Sequence, residues 1–196
     1  MLWTIVALAA QIRAARGGGR REHSRRQGSP GRGLAYFMTI AMLPAHKESV
    51  RHHPVEFAVG MIFHLGLLCA LAGIVMLVIN PALGTVWCHG VWPVLVVALA
   101  AGLVLFVRRL ASKYLRFMSS PDDYLAVLAS CGLLAVTGLI ALDPRVPLVA
   151  LIYACLLFIY MPLGKLRHAA FFFAARADQG RRLGYRGVYP PAAQVK

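Results

Sequence analysis

Apolar positions fall into four long blocks separated by short polar breaks. Val55–Ile79 is interrupted only by Glu56 and His64, Val91–Val107 carries no charge, and Tyr124–Leu142 and Val146–Pro162 follow. A bilayer core of about 30 Å asks for roughly 20 apolar residues of helix, so the blocks predict four spans. The alternation of polar and apolar residues that marks a membrane strand is absent. Ser119-Ser120-Pro121-Asp122-Asp123 has the makings of a helix start, with Ser as cap, Pro at the first position and two acids where the helix dipole favours them. Asn80-Pro81 ends the first block, and Asp143-Pro144 parts the third from the fourth. The pattern predicts an all-α integral membrane protein, an antiparallel bundle of four transmembrane helices joined by short loops. Residues 51–176 form this domain, between a basic, poorly ordered or interfacial segment over 1–50 and a basic tail over 177–196.

Composition agrees. The chain is 59% hydrophobic and 14% charged, where a soluble domain carries about 25% charged residues; an ordinary soluble enzyme and a disordered chain are both excluded. A net charge of +14 raises nucleic acid as a partner. Yet nine of the 21 basic residues fall within Met1–Arg51 and the apolar blocks hold almost none, so the partner expected is the lipid bilayer and not nucleic acid. Residues 80–90 carry no Lys or Arg, and Arg145 stands alone between the third and fourth blocks. Arg108, Arg109, Lys113 and Arg116 lie between the second and third, and Arg176, Arg181, Arg182, Arg186 and Lys196 follow the fourth. The positive-inside rule then puts both termini in the cytoplasm, across a cell inner (plasma) membrane. Met1–Ala10 is apolar but half a span long, and no basic residue precedes it as in a secretory signal. Gln11–Gly33, rich in Arg and Gly, is expected to touch anionic headgroups, and Leu34–Pro44 to lie in the interface.

Chemistry narrows to the histidines. Cys69, Cys131 and Cys155 fall inside spans and Cys88 outside, with no C-x-x-C pair, which leaves buried small hydrophobes rather than disulfides or zinc ligands. No H-E-x-x-H and no Gly-rich phosphate loop occurs. His64 sits in an otherwise apolar helix, where an ionisable group is costly and marks function, or else bonds to a neighbouring helix. The chain stays apolar beyond His168 through Phe171-Phe172-Phe173, so the fourth helix is predicted to continue to Arg176. His64 stands eight residues after Glu56 and His168 eight before Arg176, each roughly 12 Å inside its helix end at 1.5 Å per residue. Two imidazoles at matched depth suit the two faces of one haem, a closed coordination fit for electron transfer. Gly60, Gly66 and Gly164 near these histidines leave room for a macrocycle or serve helix contacts. Lys165 and Arg167 either pair with a haem propionate or snorkel to the interface.

These pieces resemble the gamma subunit of respiratory nitrate reductase and its wider cytochrome b family, which includes the membrane cytochromes of heterodisulfide-reductase-like and sulfite-reduction-associated complexes. The resemblance rests on Phe63-His64-Leu65-Gly66 and on Pro162-Leu163-Gly164-Lys165-Leu166-Arg167-His168. Arg51-His52-His53-Pro54, Ser119-Ser120-Pro121-Asp122-Asp123-Tyr124 and Arg186-Gly187-Val188-Tyr189-Pro190-Pro191 look like the family's linking segments, so it covers about residues 45–191. It implies one haem b held by His64 and His168, quinol from the membrane quinone pool as donor, and a cytoplasmic iron–sulfur subunit as partner. Family members of the nitrate reductase type carry a second ligand pair, ten residues after the first histidine and eighteen before the last; Ile74 and Ala150 stand there. A second departure is the first of the family's usual five helices, of which Met1–Ala10 would be the remnant, through a shortened gene start or through real loss. His89, with Trp87 and Trp92, is the local candidate for a quinone contact, or a loop residue between interfacial tryptophans. The alternative function is a haem-free membrane anchor or assembly subunit. A small transporter is disfavoured, since no broken-helix pair or paired intramembrane charges stand out.

Overall fold

The computed structural model describes residues 1–17, 24–44, 50, 52–143 and 145–191. Arg51, Pro144, Lys196, and parts of the Arg- and Gly-rich stretch and of the tail therefore lie outside the described residues. Every regular element among the described residues is helical. The chain divides into two compact units, one of residues 54–166 and one of residues 2–53 with 167–196.

The first unit begins with α3 (Pro54–Ile79), opened by a proline whose missing N–H costs nothing at that position. Asn80 stops it and at once caps α4 (Pro81–Gly90), its Oδ1 accepting the N–H groups of Ala82 and Leu83 at 3.0 and 3.3 Å. The sequence treats residues 80–90 as an outer loop; they form a helix folded back against α3. A Cβ on Gly84 would lie 2.5 Å from the Leu77 nitrogen, so only glycine permits this approach. Trp87 Nε1 donates to the Cys69 carbonyl at 3.0 Å, and Cys88 is fully buried beside Gly73, as a small hydrophobe would be. The segment was missed because it is too short to be a span and because Pro and Gly look like loop residues.

Next come α5 (Trp92–Ala111), the short α6 (Lys113–Phe117), α7 (Pro121–Leu139) and α8 (Val146–Tyr160). The helix start expected at Ser120 is present: its N–H donates to Asp123 Oδ2 at 2.8 Å. α3 packs on α5 and α7, α5 on α7, and α7 on α8. At these contacts lie small residues: Ala70, Ala98 and Ala150 have no exposed surface, and a Cβ on Gly66 would collide with that of Ala98. Many larger side chains face outward, Val55, Leu68, Val78 and Ile79 being more than half exposed, while Leu77, Leu95, Leu133 and Leu134 fill the core between the small residues. Small residues inside and long aliphatic ones outside is how helices pack in lipid, where no hydrophobic gain comes from burying leucine. Three helices, α3, α5 and α7, are long and apolar enough to cross a membrane; α8 joins them if it and the helix after its break count as one span.

The fourth helix does not continue to Arg176. α8 ends at Tyr160, turns occupy 161–164, a 3₁₀ turn spans Lys165–Arg167, and a new helix starts at His168. Pro162 has no N–H to donate into the helical ladder, so the ladder stops there although Met161 before it still holds helical angles. The N–H groups of Leu163 and Gly164 fall back on the Tyr160 carbonyl at 2.9 and 3.0 Å. A Cβ on Gly164 would run into the Tyr160 ring, so the tight turn needs that glycine.

The second unit was not anticipated. The segment over 1–50 contains, in its described part, α1 (Leu2–Gly17) and α2 (Pro30–Met38), and α2 packs along α9 (His168–Tyr185). Glycines make this pairing close. A Cβ on Gly33 would press into the Gly180 carbonyl and lie 2.5 Å from the Gly184 Cα; one on Gly184 would lie 2.6 Å from the Ser29 carbonyl oxygen. Gln27 and Gly28 N–H groups donate to the Tyr185 carbonyl at 3.0 and 3.1 Å. Arg176 Nε donates to the Phe37 carbonyl at 3.0 Å while its guanidinium lies over the Phe37 ring. Tyr36 stacks on Tyr189, and Gly187 takes φ +74°, a left-handed conformation that suits glycine alone. The tail over 177–196 is thus, in its described part, one half of a folded unit.

Candidate functional site

His64 sits on α3 two turns in from Glu56, as expected, and its side chain is exposed on an apolar face with Met61, Leu65 and Leu68. Its Nδ1 lies 2.7 Å from the Gly60 carbonyl. A carbonyl only accepts, so Nδ1 carries a proton, and in the neutral ring Nε2 then keeps its lone pair. That is the tautomer of a metal ligand whose second nitrogen is oriented by a backbone partner. A Cβ on Gly60 would meet nothing within 4 Å, which leaves open space along this face, whereas Gly66 and Gly164 are taken up by helix and ring contacts.

His168 is the first residue of α9 and is exposed. Because the helix breaks before it, the depth counted back from Arg176 does not apply to it. His64 belongs to the first unit and His168 to the second.

Lys165 is committed elsewhere. Its Nζ makes a 2.6 Å ion pair with Asp123 Oδ2, and its backbone N–H donates to Asp122 Oδ2 at 2.7 Å. Arg167 is exposed in the 3₁₀ turn. The same two acids take further partners: the Tyr160 hydroxyl donates to Asp122, and Arg109 Nη1 approaches Asp123 Oδ1 to 3.8 Å while donating to Ser119 Oγ at 2.7 Å. In the sequence these carboxylates read only as acids at a helix start. The network ties the start of α7 to the break after α8. The spacing signal was weak, since Asp122 and Lys165 stand 43 residues apart.

His89 repeats the geometry of His64: exposed, with Nδ1 2.8 Å from the Thr85 carbonyl one turn below, so in the neutral ring Nε2 again is the acceptor. It lies on α4 rather than in a loop, while Trp87 beside it is spent on the Cys69 carbonyl. Ile74 and Ala150 are both in the core, 2% and 0% exposed, so side-chain packing fills the positions of the second ligand pair. Among the described residues no group of three or more His, Cys, Asp or Glu could hold a metal ion, and all four cysteines are free. Compared with family models, with curated proteins and with solved structures, the chain matches none.

Proposed function

We propose that the chain is a membrane cytochrome b subunit of a quinone-linked respiratory complex, its four spans antiparallel and both termini cytoplasmic. His64 and His168 would ligate one haem b, between membrane quinol and a cytoplasmic iron–sulfur subunit. The observation that carries this reading is His64: an imidazole on an apolar helix face, fixed in the ligating tautomer by the Gly60 carbonyl, with open space alongside. An uncovered imidazole is costly in hydrocarbon, and a flat apolar macrocycle would cover it. Bound there, haem b supplies one-electron transfer. Gly60 orients the His64 ring, the exposed Arg167 offers a cation to a propionate, and basic loops suit an acidic partner face. His89, with its acceptor nitrogen outward, is the residue proposed to accept a quinol hydroxyl proton.

A second reading, a haem-free anchor or assembly subunit, is favoured by one observation: His168 begins a helix after a break instead of lying within a continuous one. A dithionite-reduced minus oxidised spectrum, with haem quantified per chain on full-length protein made with ample haem, separates the two. The first reading expects a low-spin b-type spectrum near one haem per chain, lost in both His64→Ala and His168→Ala. A folded, haem-free wild type would establish the anchor instead. Haem retained in His168→Ala but lost in His64→Ala would reassign the second ligand.

A further inference from the structure

The second unit carries a groove of about 430 Å³ between α1 and α9, lined by Ala9, Ile12, Arg13, Arg16, Ala170, Phe173 and Ala174. Its floor is apolar, its only charges are two arginines, and no carboxylate lines it. Arg13 and Arg16, three residues apart, share a helix face with their Cβ atoms about 5–6 Å apart. That spacing lets two guanidinium groups grip one phosphodiester. Towards its start α1 is apolar and exposed: Leu2, Ile5 and Val6 are each more than half accessible, as is Trp3. Ten residues of helix reach about 15 Å, half of a hydrocarbon core about 30 Å thick. If that stretch enters one leaflet, Arg13 and Arg16 stand at the depth of the phosphates.

We propose that this groove seats an anionic phospholipid, its phosphate between Arg13 and Arg16 and an acyl chain along Ile12, Ala170 and Phe173. Charge complementarity selects the lipid's sign, and the apolar floor selects a lipid over a soluble phosphate. The site lies wholly in the second unit and does not depend on any haem.

The test is native mass spectrometry of delipidated full-length protein titrated with 1-palmitoyl-2-oleoyl phosphatidylglycerol, the matching phosphatidylcholine, or inorganic phosphate. Phosphatidylglycerol should bind about tenfold more tightly than phosphatidylcholine. Arg13→Gln with Arg16→Gln should erase that preference, whereas Arg25→Gln with Arg32→Gln, of equal net charge and on exposed positions outside the groove, should keep it. Ala174→Leu should weaken both lipids by obstructing the floor with the arginines intact. Equal binding of the two lipids by wild type would overturn the proposal. So would an equal loss in both double variants, which marks diffuse charge attraction, or displacement of the lipid by millimolar phosphate, which marks an anion site without an acyl seat. Circular dichroism of each variant keeps a folding failure from passing for a loss of binding.

Discussion

Replacing Gly33 by alanine sets two opposing effects against each other, and the structure decides the sign. Alanine favours a helix over glycine by about 1 kcal/mol, and Gly33 lies within α2. Its new methyl, however, would stand 2.5 Å from the Gly184 Cα and 2.8 Å from the Gly184 nitrogen, and would press into the Gly180 carbonyl. Carbon atoms rest about 3.5–4.0 Å apart, so α2 and α9 must part by about 1 Å. Backbone cannot swing aside as a flexible side chain can. Overpacking of this kind costs about 1–3 kcal/mol, and a gap of that size forfeits about a quarter to a half of each dispersion contact along the seam. It also stretches the 3.0 Å bond from Arg176 to the Phe37 carbonyl. The net expected is about 2 kcal/mol against the pairing, close to a 30-fold rise in its open fraction. Gly31 is the control: on the same helix, its added Cβ meets only Ser29 Oγ, at 3.9 Å, so Gly31→Ala should be neutral or stabilising. Amide hydrogen exchange on the full chain in lipid nanodiscs reads both. In Gly33→Ala the amides of α2 and of residues 177–185 should exchange roughly 30-fold faster, while in Gly31→Ala they should not. Equal protection in the two variants would refute the reasoning. Gly33→Ala and Gly184→Ala together should cost less than their sum, because both strain one seam.

Other perturbations test separate parts. Asp122→Ala strands the Tyr160 hydroxyl and the Lys165 N–H; about 2 kcal/mol of stability should be lost, seen as faster proteolysis near residues 161–167. Lys165→Met removes an ion pair whose lysine is about half exposed, so its thermal unfolding should shift little, by less than about 1 kcal/mol, and haem content should not change. Gly84→Val forces α4 off α3 at Leu77, and Trp87 fluorescence should shift to the red as its bond to the Cys69 carbonyl breaks. Gly60→Ala, with no protein atom to meet, should leave the fold intact. On the haem reading it lowers haem occupancy by filling the space beside His64, and full haem retention would count against that placement.

The parts of the fold written in local pattern were legible, and those written in contacts between distant segments were not. Three apolar blocks declared α3, α5 and α7 because lipid demands uninterrupted apolar length, and Ser120 with Asp123 declared its own cap. The fate of residues 80–90 and of the fourth helix turned on what the chain met on folding back. Gly84 looks like a loop residue until Leu77 lies against it. Pro162 and Gly164 carried the signal for a break, but the apolar run through Phe173 outweighed it. The pairing of the N-terminal segment with the tail was the least visible, since its glycines stand about 150 residues apart and glycine near arginine in one stretch suggests disorder. At the site, the position of His64 was legible and its tautomer was not, because that follows from a hydrogen bond to Gly60.

That difference bears on the function. A histidine in an apolar helix needs a reason, and two are available: a bond to a neighbouring helix, or a ligand outside. His64 satisfies Nδ1 within its own helix, on the Gly60 carbonyl, and not on a neighbouring one, so Nε2 is left for a ligand outside. Thr137, fully buried and bonded to the Leu133 carbonyl at 2.7 Å, shows a polar group that is only packed: it is buried and closed on its own helix. His64 and His89 are handled the opposite way, each anchored by one nitrogen and exposed by the other. His64→Gln separates packing from ligation. Glutamine's amide is polar and similar in length, so a packing role should survive with stability changed by less than about 1 kcal/mol. A ligand role should not survive, and the b-type spectrum should vanish while hydrogen exchange in α3 stays near wild type. Loss of α3 protection with haem retained would show that His64 holds the helix and that some other group holds the iron.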